Sequence, residues 1–386
     1  MDPVKARDAE MTPSGSPLAG ISVIGLEQSV AGPLCTRILA DLGATVTKIE
    51  RPGGDFSRSW DTHAAGESAQ FWWLNRRKRS ISLSLATDEG RARLADLLTD
   101  ADVLVHNMSP RAATRLGLDA TSVEQRYPRL VACQISGYGA ATSQRDRKAY
   151  DMLLQAESGL MSLTGPPDTP ARIGVAIADV ATGIYAATLV LAALHHRRTT
   201  GHGHTIDLAM LDVLAEFAAP MLLSHLNADI TYPRSLDHHH AIAPYGAFPT
   251  ADGTRLLIAC HQDAEWARLC DGLLHQPDLA TDARYATNMQ RLAHRDQVDA
   301  LVTTATSTLT TETLTTLLDH LDIAWAQVND IAGLATHPTL AERHALQDVQ
   351  AASGATVTTL VGLAEREFPP DASGRIRPPL VGEDGA

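Results

Sequence analysis

The sequence is short of cysteine and of positive charge, and each shortage narrows what the chain can be. Its four cysteines, Cys35, Cys133, Cys260 and Cys270, are scattered and form no CxxC pair. That pattern excludes a disulfide framework and a zinc-ligand spacing, and it suits a reducing cytoplasm. Lysine plus arginine comes to 32 against 45 for aspartate plus glutamate, a formal charge of −13. Sequence-independent nucleic-acid binding needs an excess of cations to neutralise phosphates, so no nucleic-acid partner is expected. Residues 1–16, MDPVKARDAEMTPSGS, lack the apolar centre of a signal peptide and read as a loose tail. Only 175–194, VAIADVATGIYAATLVLAAL, is long and apolar enough to suggest a membrane span, and it carries Asp179. A buried helix in a soluble core explains it better, and leaves an ionisable group at the edge of an apolar element. The turn after the first apolar run, LEQSVAGP at 26–33, has no GxGxxG. A dinucleotide site is therefore not expected, although Glu50 stands where a ribose-binding acid would.

What is present is alternation. ISVIGL (21–26), TVTKIE (45–50), SISLSL (80–85), DVLVHN (102–107) and LVACQIS (130–136) read as strands, with helical segments at 34–44 and 88–100 between them. Strands alternating with helices predict βαβ units and a Rossmann-like parallel sheet, with ligands at the carboxyl ends of the strands. That places Gln28–Pro33, Arg51, Asn107 and Gly137–Gly139 on one rim. A chain of 386 residues suggests two or three domains. We expect a large α/β domain over 1–198, a linker helix over 199–225 and a smaller α+β domain over 226–330. A return segment, 331–386, would pack on the large domain. Within the small domain, 247–260 reads as a hairpin turning at Ala251-Asp252-Gly253, followed by helices near 262–274, 288–308 and 311–321.

Two local patterns could carry chemistry. The run Arg76-Arg77-Lys78-Arg79 follows Trp72 and Trp73. It could seat adenine and phosphates, since guanidinium forks match phosphate oxygens and rings stack on bases; it could equally be a solvated loop. Asp179 precedes a long apolar run that ends at His195-His196-Arg197-Arg198 and Gly201. At a helix start, backbone N–H groups and the helix dipole favour an ionised carboxylate. Such a group is a plain cap or, at a cleft rim, a nucleophile for acyl transfer.

The segments PLAGISVIGLEQSVAGPLCTRILADLGATVTKIERPGGD (17–55), LNRRKRSISLSL (74–85), DVLVHNMSPRAATRLGL (102–118), ISGYG (135–139), RKAYDMLLQAESGLMSLTG (147–165) and IADVATGIYAATLVLAAL (177–194) together resemble family III CoA-transferases. The match runs in order through nearly the whole large domain. The resemblance implies Asp179 as nucleophile and a CoA site lined by Val30, Ala31, Arg51, Leu74, Asn75, Arg77, Asn107, Met108, Arg115, Lys148 and Tyr150. It implies coenzyme A as substrate, no metal, and a homodimer of two chains interlocked like rings. An aspartyl mixed anhydride followed by an aspartyl-CoA thioester would be the intermediates, with Gly137, Tyr138 and Gly139 near the oxyanions. Racemases in the family resemble the chain at Asp179 but carry Gly-His-Asp where this sequence has Ala149-Tyr150-Asp151. Lacking that histidine base, the chain reads as a transferase. A non-catalytic CoA-binding protein is the other alternative. RKAYD and PYGAF (244–248) look most like members acting on four- or five-carbon dicarboxylic acids. His238, His239, His240 and Tyr245 are then expected to meet the distal carboxylate. Relatives usually continue into another helix after the point where GEDGA ends this chain.

Overall fold

The computed structural model describes residues 15–369 and 375–385. Residues 1–14 of the expected tail lie outside them. The chain divides into two compact units: one takes residues up to 160, 173–222 and from 339 onward; the other takes 161–172 and 223–338.

The first unit is built on a six-stranded sheet: β1 (Ser22–Leu26), β2 (Thr45–Glu50), β3 (Arg79–Ser82), β4 (Val103–His106), β5 (Val131–Ser136) and β6 (His204–Ala209). Their spatial order is β3-β2-β1-β4-β5-β6, and every pair is parallel. Helices cover both faces, so the central strands can be apolar throughout; β4 and β5 are wholly buried. On one face Ile24, Leu26, Leu104 and Ala132 pack against Leu94 and Leu98 of helix Asp88–Thr99, and against Ala113 and Val123 beyond β4. The other face carries the first helix, Ala31–Asp41, crossed by the long helix Ile177–Thr200. Close approach there depends on Gly183, where a Cβ would stand 2.8 Å from the Ala31 carbonyl oxygen and from the Leu34 Cβ. Strand order reverses between β1 and β4, which makes their carboxyl ends the topological switch point where ligands of such sheets sit.

One expectation changes here. Segment 199–225 does not serve as a linker helix alone: HTIDLA (204–209) forms the sixth strand beside β5. Its Ile206 and Leu208 alternate with Thr205 and Asp207, a period-two signal masked by the Gly-His-Gly before it. The C-terminal segment lies along β3, with Asp384 N–H donating to Ser80 O at 3.0 Å and Ser82 N–H to Gly385 O at 3.2 Å. It covers the sheet edge that would otherwise offer free backbone groups. The long helix is apolar enough to span a membrane by composition, but half of its most apolar window is buried within the protein.

The second unit holds an antiparallel sheet of β7 (Tyr245–Pro249), β8 (Arg255–Ala259) and β9 (Ala324–Gln327). The hairpin β7–β8 matches its expectation, whereas β9 was not anticipated. Phe248, Leu256 and Ile258 pack with Trp266, Leu269, Val298, Val302, Leu314 and Leu318 from three helices. Arg291, fully buried, donates to the carbonyls of Ala243 (2.6 Å) and Tyr285 (3.0 Å) and to Asp263 (2.8 Å).

Candidate active site

The site grows from the turn after β1. Asn107, just past β4, clamps that turn: its amide N–H donates to Gln28 O at 2.7 Å, and Gln28 N–H donates back to its Oδ1 at 3.0 Å. The first helix then starts at Ala31 with no side-chain cap from Val30. A helix start has N–H groups without intrahelical partners. Here the Ala31 N–H faces the carboxyl of Asp179, which the long helix brings alongside, and favours its ionised form.

Asp179 is the third residue of that helix, not its cap. Asp151 takes the capping role from a distant point in sequence. Its Oδ1 accepts Ala178 N–H at 2.8 Å and Asp179 N–H at 3.4 Å, and its Oδ2 accepts the Gln155 amide at 2.7 Å. Gln155 in turn accepts Ile173 N–H at 2.9 Å, so this arrangement is held from behind. The expectation of a carboxylate kept ionised by its own helix is thereby corrected. Burial, followed by the negative charge of Asp151, pushes the Asp179 carboxyl up to about 7, and the Ala31 N–H only partly opposes them. Near neutral pH the group divides between the acid and its ionised, nucleophilic form. Such displaced carboxyls cluster at functional sites.

The residues expected to line a CoA site separate into two sets. Arg51, Arg115, Lys148 and Tyr150 are exposed at or beyond the strand ends. Arg51 and Met108 line a cavity of about 180 Å³ over β1 and β2; Met108 and Arg115 line a second of about 590 Å³ beside it. Leu85 is shared by both, so the two form one path along the rim. By contrast, Val30, Ala31, Leu74 and Asn75 are buried. Val30 and Leu74 pack on Leu34, and Asn75 accepts a bond from Lys78 at 2.9 Å. Their side chains stand behind the rim and shape it, instead of facing it. Arg77 lies between the two sets, with its guanidinium 2.5 Å from Glu365.

The basic run is neither of the alternatives expected for it. Arg76 is buried against Asp41 (2.7 Å), Arg77 meets Glu365, and Lys78 is buried against Glu27 (3.0 Å); only Arg79 is exposed. Glu50 likewise cannot meet a ribose, since Arg58 (2.6 Å), Ser80 (2.6 Å) and the Asp55 N–H (2.8 Å) occupy its carboxylate. In the Gly137–Gly139 turn two donors are already engaged. Gly139 N–H donates to Ser136 Oγ at 3.0 Å, and the Tyr138 hydroxyl donates to Glu157 at 2.7 Å. The backbone donor that meets Asp179 is Ala31, which sequence reasoning had placed only as a lining residue. Asp151 was visible only as part of a motif, because a cap supplied 27 residues away leaves no local signal.

The three histidines lie in the second unit and differ in role. His238 turns inward between Asp237 (2.9 Å) and Asp299 (3.5 Å), edge-on to Phe248. His239 stacks between His240 and Tyr245, with ring centroids 4.7 and 5.0 Å away. Tyr245 also tilts against His261 at 5.5 Å. Ala241 N–H donates to His239 Nδ1 at 3.1 Å, which leaves the ring proton on Nε2. Burial, then His240, His261 and Arg295, holds His239 below the usual histidine range. At neutral pH it offers a neutral N–H donor.

Comparison with known proteins agrees with this architecture. A family model described as CoA-transferase family III matches residues 18–385. Succinate–glutarate CoA-transferase of Agrobacterium fabrum is 37% identical over 350 residues, covering 88% of this chain and 87% of that protein. Succinyl-CoA:mesaconate CoA-transferase of Haloarcula hispanica is 33% identical, covering 96% and 94% respectively. Among solved structures, a CaiB/BaiF family protein from Brucella suis superposes with a TM-score of 0.82 at 34% identity, over 96% of this chain and 98% of its own. With the family match spanning both units, this chain belongs to CoA-transferase family III and is a CoA-transferase.

Proposed function

We propose that the enzyme moves CoA between an acyl-CoA and a four- or five-carbon dicarboxylic acid, with Asp179 carrying the acyl group and then CoA. The observation that supports this reading most directly is the Asp179 carboxyl, half-buried, shifted to about 7, and met by the Ala31 N–H at a helix start. In the first step an Asp179 oxygen attacks the thioester carbonyl, the C–S bond breaks, and CoA leaves as thiolate. That thiolate attacks the aspartyl carbonyl of the mixed anhydride, releasing the donor acid and leaving an aspartyl-CoA thioester. The acceptor carboxylate attacks this thioester, and the released thiolate then attacks the acceptor carbonyl of the second anhydride. Acceptor-CoA departs and the Asp179 carboxylate is regenerated. The Ala31 N–H, preorganised at the aspartyl oxygen, is suited to the negative charge that develops there in each addition step.

The dicarboxylate preference rests on the relatives named above, which act on succinate, glutarate and mesaconate by name. His239, His240 and Tyr245 supply donors suited to a distal carboxylate. Ile184, Tyr185 and Leu189 form an exposed apolar stripe on the long helix (50%, 38% and 37% exposed), which supports a homodimer, here read as interlocked. We place the enzyme in the cytoplasm, a reducing compartment that suits its four free, buried cysteines.

Three measurements test the reading. Wild-type enzyme given an acyl-CoA and then hydroxylamine or borohydride should release CoA and yield a peptide in which Asp179 is the hydroxamate or the alcohol; a label elsewhere overturns the assignment. Transfer without exchange of the α-proton into deuterated solvent separates it from a racemase. Light scattering at nanomolar concentration should show a dimer, and a folded monomer would refute interlocking.

A further inference from the structure

The turn that brings the Ala31 N–H to Asp179 stands on a cluster of buried charges which the transfer chemistry does not itself consume. The side chains of Glu27, Lys48 and Lys78 have no exposed surface. Lys78 Nζ donates to Glu27 Oε1 at 3.0 Å, to Asn75 Oδ1 at 2.9 Å, and to the carbonyl of Pro33 in the first turn of the helix at 2.9 Å. Lys48, on β2, donates to the Glu27 carbonyl at 2.7 Å and meets Asp55 at 2.9 Å. Thr36, one turn further along the helix, donates to Glu27 Oε1 at 3.0 Å.

The Glu27 side chain is tightly enclosed. A Cβ on Gly32 would come within 2.6 Å of its Cβ, and one on Gly25 within 2.6 Å of its Oε2. Between these glycines Ser29 holds a left-handed φ of 66°, which is uncommon for a residue with a Cβ and persists only where neighbours enforce it. A buried ion pair is weak evidence for stability, because well-packed apolar groups of the same volume often serve equally well. Apolar groups cannot, however, bond two main-chain carbonyls in fixed directions. The cluster does that on either side of Ala31, at Glu27 and Pro33.

We infer that Lys78 and Glu27 are positioning residues for CoA transfer, holding the turn from Glu27 to Pro33 so that the Ala31 N–H stays on the Asp179 carboxyl. The inference rests on the proposed role of Asp179. Asp151 is the charged group that faces Asp179 there, and neither Glu27 nor Lys78 acts on it directly. Their influence passes through the backbone.

The test is the pH dependence of kcat/KM for the acyl-CoA. Lys78→Met alone strands a buried carboxylate and is a poor probe, so the pair Glu27→Gln with Lys78→Met is used; Lys48 keeps Asp55. We expect kcat to fall at least about tenfold while KM for the acyl-CoA changes less than about threefold. The acid limb of the profile should move up by at least about half a pH unit, since the Ala31 N–H favours the ionised carboxyl. Thr36→Val, which removes only the hydroxyl tie, should move the limb in the same direction by less. It decides the matter if the pair does not fold. A wild-type limb and wild-type kcat in the folded pair, or a wild-type limb in Thr36→Val where the pair is unfolded, overturns the inference. Asp179→Asn run alongside separates the two failures. If it is inactive while the other variants keep the wild-type profile, only the positioning role falls. If it turns over, the reading of Asp179 falls and takes this inference with it.

Discussion

Arg76 and Lys78 are neighbours in sequence, as are Arg77 and Arg79 beside them, and on paper they form one basic patch. In space they part: Arg76 and Lys78 are buried against Asp41 and Glu27, and Arg77 is tied to Glu365. Arg51, Arg115 and Lys148, scattered over almost a hundred residues, are the cations exposed beyond the strand ends, with no carboxylate partner among the described residues. The first group holds the architecture of the site, and the second remains free to meet a polyanionic ligand. Carboxylates divide in the same way. Asp41 and Glu27 are paired, whereas Asp179 faces another acid, Asp151, and is pushed up to about 7. Adjacency in sequence is therefore a poor guide to which charges do chemistry; pairing in the fold is the better one.

The sharpest way to break this distinction is Asp179→Asn. Transfer should fall by about 10⁴-fold or more, as for removal of a covalent nucleophile. Stability should move the other way. A carboxyl whose folded pKa lies above its unfolded value favours the fold below about pH 4, and that contribution is lost as pH rises toward 7. The variant should therefore melt higher than wild type at pH 8, with the difference fading toward pH 4. Equal melting temperatures at both pH values would refute the displaced carboxyl.

For the paired group the largest effect should be on folding. Arg76→Ala leaves buried Asp41 only the longer contact to Arg37 at 3.6 Å and should cost about 3 kcal/mol in chemical denaturation, while the KM for acyl-CoA of folded protein stays near wild type. Arg51→Ala and Arg115→Ala invert that pattern. Each is expected to lose a charge-assisted contact to CoA worth about 1.5–3 kcal/mol, raising KM for the CoA thioester roughly 10- to 150-fold with little change in melting temperature. Equal loss for the acceptor acid would count against their placement. The smallest effect concerns the histidines. Because His239 is held below the usual range and is neutral at neutral pH, acceptor affinity should stay level from pH 6.5 to 8. A fall across that interval would show a histidine acting as a cation. Succinate should still exceed butyrate as acceptor by at least about tenfold if the distal carboxylate is read at all.

Much of the fold was legible without coordinates. Five of the six parallel strands overlap the segments of six or seven residues read as strands, and β7–β8 turns where Asp252-Gly253 said it would. Strand β6 escaped because its polar half and the glycines before it hid the alternation. β9, with AWAQ wholly exposed, has almost no pattern to find. At the site, the resemblance named Asp179, Arg51 and Arg115 together with Leu74 and Asn75, and it could not tell that the side chains of the last two are fully buried.

By itself the sequence determined the alternation of strand and helix, the long apolar helix with an acid near its start, and the family to which the chain belongs. These are properties of local order, since hydrophobic period and motif spacing are written along the chain. Only the tertiary structure decided what Asp179 is. Its displaced titration comes from burial and from Asp151, 28 residues away, and the N–H that partly opposes them belongs to a helix that starts nearly 150 residues earlier. Both effects depend on distance through space, which falls to a few ångströms only after β1 and the long helix have packed, and no spacing along the chain records it.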